Sequence, residues 1–333
     1  MMQSAAPHLR PRHDVPRLMR SVLLALIPGT LAMVWLFGWG VLLNILLCGA
    51  TALATEALML RLRGRPIAPA LGDHSALLAA LLLALCLPPL LPWWMPVLGT
   101  FFALALGKHL YGGLGFNPFN PAMLGYVFLL VSFPGSMVLW PSPDLAPPGL
   151  LQTLAVGSGM TAFDMVSGAT PLDGLKTALA AGQPVAAQRN GFGPFSLHQE
   201  PDWLLINALF LLGGLYLLRH RMVAWQIPLG VLLGLGLPAF AAWLIAPDQF
   251  ADPLFHLFAG GAMLGAFFVA TDPVSASTTP LGRLYYGLGI GILVWVIRSW
   301  GGYPEGVAFA VLLMNLAAPL LDRLCRPRIA GQG

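Results

Sequence analysis

Apolar runs broken by short clusters of Gly, Pro and charged residues dominate the pattern from about position 21 to position 320. A helix that crosses a bilayer needs about 20 mostly apolar residues, and ten runs approach that length. In the first half they cover 21–37, 40–60, 74–91, 93–108 and 122–140; in the second, 203–218, 223–246, 253–271, 284–299 and 304–320. No period-two alternation persists long enough to indicate strands. The first run ends in FGWG rather than in a small-residue cleavage site, so it is expected to remain as a span instead of leaving as a signal peptide. The pattern therefore predicts an all-α polytopic membrane protein. Its parts are an N-terminal segment (1–20), a first five-helix unit (21–140), a long connecting loop (141–202), a second five-helix unit (203–320) and a tail (321–333).

Charge orients this array. Cytoplasmic loops hold the excess of Lys and Arg, and with the N-terminus inside, all basic residues except Lys176, Arg189 and Arg298 fall on the cytoplasmic side. Both termini are then cytoplasmic and the 141–202 loop is extracytoplasmic. Five spans per half invert the second half relative to the first, as in inverted-repeat transporters. Breaks recur at matching places. CLPPLLPWW (86–94) ends the third span and ATDPVSASTTP (270–280) ends the eighth; YGGLGFNPFNPA (111–122) and WGGYPEGVAFA (300–310) both carry Gly-Gly. Irregular backbone at membrane depth survives only where protein or a water-filled cavity satisfies it. These breaks are thus expected to line a site between the halves, the alternative being simple kinks and turns.

Composition agrees: 57% hydrophobic and only 9% charged residues place the chain outside the soluble range. Basic residues scattered over separate membrane-edge loops form no single patch, which argues against nucleic acid as a partner and for the lipid bilayer. The cysteines, Cys48, Cys86 and Cys325, lack metal or disulfide spacing and read as small buried residues.

Polar residues near the breaks are the candidates for binding. Asp272 reads equally as a group for a cation or freed N–H donors and as a solvated carboxylate near Arg283. Asn117 and Asn120 read first as amides that satisfy open backbone, and second as ligands. Glu56 is expected to snorkel or to pair with Arg61. Glu305 and Arg298 are expected to pair with each other or to meet an anionic group, and His109 to sit at the interface. Asn117, Asn120, Asp272 and Glu305 together form a candidate ion or flavin path; no metal site is expected.

In the long loop, DMVSGATPLDG (164–174) is small, polar and flexible. Asp164 and Asp173 have no partner His at a recognisable spacing, and Ser167 has no nucleophile elbow, so catalysis within the loop is not expected. Ser167, Gly168 and Ala169 leave the backbone accessible to another protein's cleft, and Pro171 biases Thr170 towards extended geometry.

The pattern Asp164-x-x-Ser167-Gly168-Ala169-Thr170 resembles the acceptor motif of flavin transferases, which join FMN through its phosphate to a threonine hydroxyl. With FNPFNPAMLGY (116–126), GAFFVATDPVSAS (265–277) and GGYPEGVAFAVLLMN (301–315), the chain resembles the family of Rnf complex D subunits and of the B subunits of sodium-translocating NADH:quinone oxidoreductases. Its short N-terminal segment is more similar to the Rnf members. The resemblance implies a urea-transporter-like fold of inverted repeats in the bacterial inner membrane and a covalent FMN on Thr170, with Asp164, Ser167, Gly168 and Ala169 as motif residues. It also implies a possible second, noncovalent flavin such as riboflavin. Implied partners are a flavin transferase and the flavin and iron–sulfur subunits of a complex that passes electrons between ferredoxin and NAD while moving an ion. Three cysteines are too few for an iron–sulfur cluster of the chain's own, and no nucleotide-binding glycine motif is present. The chain is accordingly expected to be a translocase subunit without a complete active site. The competing readings are a small-solute channel or transporter without redox role, and a scaffold that only anchors redox partners.

Overall fold

The computed structural model describes residues 14–138, 140–141, 147–160, 167–185 and 201–326. Among the described residues, six helices are long and apolar enough to cross a membrane: α1 (Val15–Phe37), α2 (Trp39–Leu62), α10 (Pro201–Arg219), α11 (Gln226–Ile245), α14 (Pro280–Trp300) and α15 (Val307–Leu324). Shorter elements fill the other predicted runs. They are α4 (Ser75–Cys86), α5 (Trp94–Leu104) continued by a π-helical turn (Ala105–His109), α6 (Pro121–Ser132), and the set α12 (Pro253–Phe258), α13 (Ala262–Leu264) and a second π-helical turn (Gly265–Val269). α3 (Ile67–Leu71) and α7 (Pro134–Met137) are short connectors.

Two predicted runs are divided, for identifiable reasons. The run 122–140 stops at Ser132 because Pro134 has no N–H and forces Phe133 out of helical geometry, to φ −136° and ψ 56°. The run 253–271 opens at Ala259–Gly261, where Gly260 takes φ +58°, a conformation other residues seldom adopt. Asn207 satisfies the backbone freed there. Its Nδ2 donates to the carbonyls of Phe258 (2.8 Å) and Gly260 (3.0 Å), and its Oδ1 accepts from Met263 N–H (3.2 Å). An unpaired backbone group inside a bilayer costs several kcal/mol, so the break persists because this side chain closes it.

Packing follows a matching scheme in the two halves. α2 lies against α4 and α5, and α5 against α6; α11 lies against α12 and α14, and α14 against α15. Contacts of α1 with α10 and of α6 with α15 join the halves. Between α11 and α14 the backbones meet through Gly230 and Gly234 on one helix and Gly287 and Gly291 on the other, a small-xxx-small pattern on both sides. A Cβ at Gly291 would overlap the Val231 carbonyl, whereas one at Gly49 meets nothing within 4 Å. Gly291→Leu is therefore expected to cost about 1–3 kcal/mol and Gly49→Leu to stay within about 0.5 kcal/mol of the parent. Thermal unfolding of the detergent-solubilised variants measures the difference.

The 141–202 loop contains structure of its own: α8 (Leu150–Gly157), α9 (Pro171–Ala180), and a two-residue strand β2 (Ser167–Gly168) that pairs antiparallel with β1 (Trp140–Pro141).

Candidate functional site

Thr170 is the N-cap of α9. It has the extended geometry expected before proline, φ −66° and ψ 158°, and its Oγ1 accepts a hydrogen bond from Asp173 N–H at 3.3 Å. Pro171 at the first helical position and Asp173 in the first turn complete a helix start that the sequence TPLD carried openly. Immediately before it, β2 sets Gly168 opposite Trp140. Gly168 is half-buried and Ala169 exposed. Asp164 and the side chain of Ser167 lie outside the described residues.

The half-buried Thr170 lines a cavity of about 110 Å³ that enters the bundle between its halves. The wall from the first half includes Cys86, Met123 and Tyr126; the wall from the second includes Trp203, Leu264 and Val307. Phe37, Trp140 and Trp203 form an aromatic cluster with centroids 5.4–5.5 Å apart, and both tryptophans face the cavity. Glu305 also lines it. The expected pair forms: Arg298 Nη2 lies 2.8 Å from Glu305 Oε2. Arg298 further donates to the carbonyls of His256 (2.6 Å) and Ala259 (3.1 Å). Glu305 accepts from the N–H groups of Gly261 (2.9 Å) and Gly306 (2.8 Å). The pair thus ties the opening between α12 and α13 to the start of α15.

Asn117, Asn120 and Asp272 line a second cavity of about 80 Å³, with Ser75 and Lys108, and Glu305 is not among them. Asn120 spans the two halves. Its N–H donates to Asn315 Oδ1 (3.0 Å), its Nδ2 to the Val269 carbonyl (3.2 Å), and its Oδ1 caps α6 at Met123 N–H (3.2 Å). Asn315 in turn donates to the Ser275 carbonyl (3.1 Å) and to Tyr286 Oη (2.7 Å). Asn120 thus satisfies backbone groups of both halves with its amide. Asn117 differs: its Nδ2 donates to the Phe119 carbonyl at 2.9 Å, but its buried Oδ1 has no hydrogen-bond partner among the described residues. Asp272 accepts from Ser275 Oγ (2.7 Å) and Val274 N–H (3.3 Å), while Arg283 donates to the Ser277 carbonyl. Neighbouring residues line the two cavities: Met123 and Val269 the first, Asn120, Pro121 and Phe268 the second.

Three expectations require correction. Glu56 pairs not with Arg61 but with Lys108, whose Nζ lies 2.8 Å from Oε1, and it also contacts His109 Nε2 at 3.0 Å. His109 is not interfacial: it is 1% exposed, Glu56 2% and Lys108 3%. Both consecutive residues of the π-helical turn at 105–109, Lys108 and His109, contact Glu56. Lys108 also donates to Ser75 Oγ at 2.9 Å. Of the cysteines, only Cys48 is fully buried; Cys86 and Cys325 are partly exposed.

Comparison with known proteins bears on these sites. The sequence profile of the NQR2, RnfD, RnfE family matches residues 2–331. Proteins named as the D subunits of ion-translocating oxidoreductase complexes are similar over nearly the full length. The one from Alcanivorax borkumensis is 50% identical, covering 99% of this chain and 97% of its own. That from Pseudomonas aeruginosa is 52% identical (98% and 94%), and that from Escherichia fergusonii 49% (98% and 97%). A match of this extent, together with the apolar helices and the breaks between them, assigns the chain to the NQR2, RnfD, RnfE family.

Proposed function

We propose that this protein is the membrane subunit of an Rnf-type ion-translocating oxidoreductase complex and carries FMN covalently, through a phosphoester to Thr170 Oγ1. The observation that carries the reading is the position of that hydroxyl, half-buried at the edge of an aromatic-walled cavity between the halves of the bundle. The residues fit the group chemically. An apolar, aromatic lining suits a flat ring system, and a helix N-terminus suits a phosphate. Trp140, Trp203 and Tyr126 would shield the ring from water, and Thr170 would prevent its loss. A bound flavin supplies one- and two-electron transfer. The chain then has no complete active site of its own: ferredoxin, NAD and iron–sulfur chemistry belong to partner subunits, and a flavin transferase performs the attachment.

The matching packing schemes of α2, α4, α5 and α6 and of α11, α12, α14 and α15 support ten spans in two inverted repeats, similar to urea transporters. In that reading the shorter elements cross as broken helices. The arrangement lies in the bacterial inner membrane with both termini cytoplasmic and Thr170 on the outer side. The second cavity then opens inward. With Asn117 Oδ1, which has no partner among the described residues, and with Asp272 on its wall, it is the candidate for an ion or a noncovalent flavin such as riboflavin. In-gel flavin fluorescence of the denatured subunit, produced with its transferase, tests the attachment: a fluorescent band is expected, and a dark band overturns it.

A second reading has one specific observation in its favour: neighbouring residues, Met123 and Val269 on one side and Asn120, Pro121 and Phe268 on the other, line the two cavities. It makes the chain a passive path for a small solute, with Thr170 unmodified. Solute flux into liposomes holding the dark subunit would support it.

A further inference from the structure

Leu172 and Lys176, one helical turn apart, lie on the same face of α9. Leu172 is buried against Val185, Ala251, Phe255 and Ala259, with Leu175 and Leu179 partly buried beside it. Lys176 reaches the outer end of α14. Its Nζ donates to the carbonyl of Tyr303 at 2.8 Å and approaches that of Ile297, in the last turn of α14, at 3.5 Å. A cation suits a helix C-terminus, and the Ile297 carbonyl also accepts from Gly301 N–H at 2.8 Å. Tyr303 also lines the outer cavity, as do Thr170 and Leu172. One side chain thus connects the helix that begins at Thr170 to another residue of the cavity wall.

Burial holds the Lys176 ammonium below the ordinary lysine range, with Asp173 opposing that change. If adhesion alone were needed, another Leu would bury apolar area without desolvating a charge. What two carbonyl acceptors add is direction, since a hydrogen bond constrains angle as well as distance and the apolar contacts of Leu172 do not. Thr170, six residues earlier and about 9 Å along the axis, inherits that constraint.

We propose that Lys176 is a positioning residue that pins α9 on the α14–α15 turn and so fixes the surroundings of the group borne by Thr170. The proposal rests on the reading of Thr170 as the flavin attachment point. Lys176→Met keeps the stem and removes the donors, whereas Lys176→Arg restores donors to the same carbonyls. Both variants are made in the full-length subunit within its complex and with the transferase present. In Lys176→Met the flavin is expected to remain attached, but its fluorescence anisotropy falls and its midpoint potential shifts. Hydrogen exchange of the 171–180 amides is expected to accelerate about tenfold. Lys176→Arg returns all three towards the parent. Unchanged exchange and anisotropy in Lys176→Met overturn the proposal. Should the parent carry no flavin on Thr170, the attachment reading fails by itself. The exchange rates, which need no flavin, still decide whether Lys176 pins α9.

Discussion

On the proposed attachment, Thr170→Ala is expected to abolish covalent flavin while leaving the subunit in the membrane; that is the largest effect the proposal predicts. Alanine has no oxygen to carry a phosphoester, so attachment falls to background instead of declining by degrees. The cap is lost as well. Removing a Thr N-cap costs about 1 kcal/mol, but Pro171 still starts α9, and the anchors Leu172 and Lys176 remain. Thr170 lies outside the long apolar helices, so insertion is unaffected. Thr170→Ser separates the two roles, because serine keeps both the hydroxyl and the capping oxygen. Flavin per mole of subunit, read by fluorescence after denaturation, is expected near parental level in Thr170→Ser and absent in Thr170→Ala. Flavin persisting in the alanine variant would mean another attachment residue.

The second large effect concerns stability at the opposite end of the bundle. Lys108→Met leaves Glu56 buried beside His109 without its ammonium partner. Removing one member of a buried ion pair costs about 3–5 kcal/mol, and with the His109 contact at 3.0 Å kept, the loss here is expected at the lower end of that range. Removing both costs far less. Lys108→Met with Glu56→Gln is expected to recover most of the loss, giving strong non-additivity in a double-mutant cycle. Thermal unfolding of the purified subunit in detergent, for the parent, the single variants and the double variant, measures it. Additive losses would show that the two side chains do not depend on each other.

The apolar runs were legible because span length is set by bilayer thickness: α2, α11 and α14 fall close to the runs that predicted them. Boundaries failed where local backbone chemistry overrode hydrophobicity. Pro134 ends α6 although the residues around it stay apolar, and Gly260 opens a helix whose freed groups depend on Asn207, a residue distant in sequence. The Arg298–Glu305 pair was readable because both residues flank one turn. Glu56 was misassigned to Arg61 for the same reason: proximity in sequence suggested a partner, while a π-helical turn, which leaves no periodic trace, delivered Lys108 and His109 instead. The capping role of Thr170 could have been read from Thr-Pro-Leu-Asp, the usual order of a helix start. Its place on a cavity wall could not, since that wall is assembled from both halves of the chain.

The most direct measurement is the intact mass of the subunit produced with its flavin transferase, followed by mapping of the peptide that contains Thr170. Attachment of FMN predicts a mass raised by one flavin phosphoester, located at Thr170. An unmodified Thr170 peptide, from cells whose transferase modifies another substrate, would contradict the account.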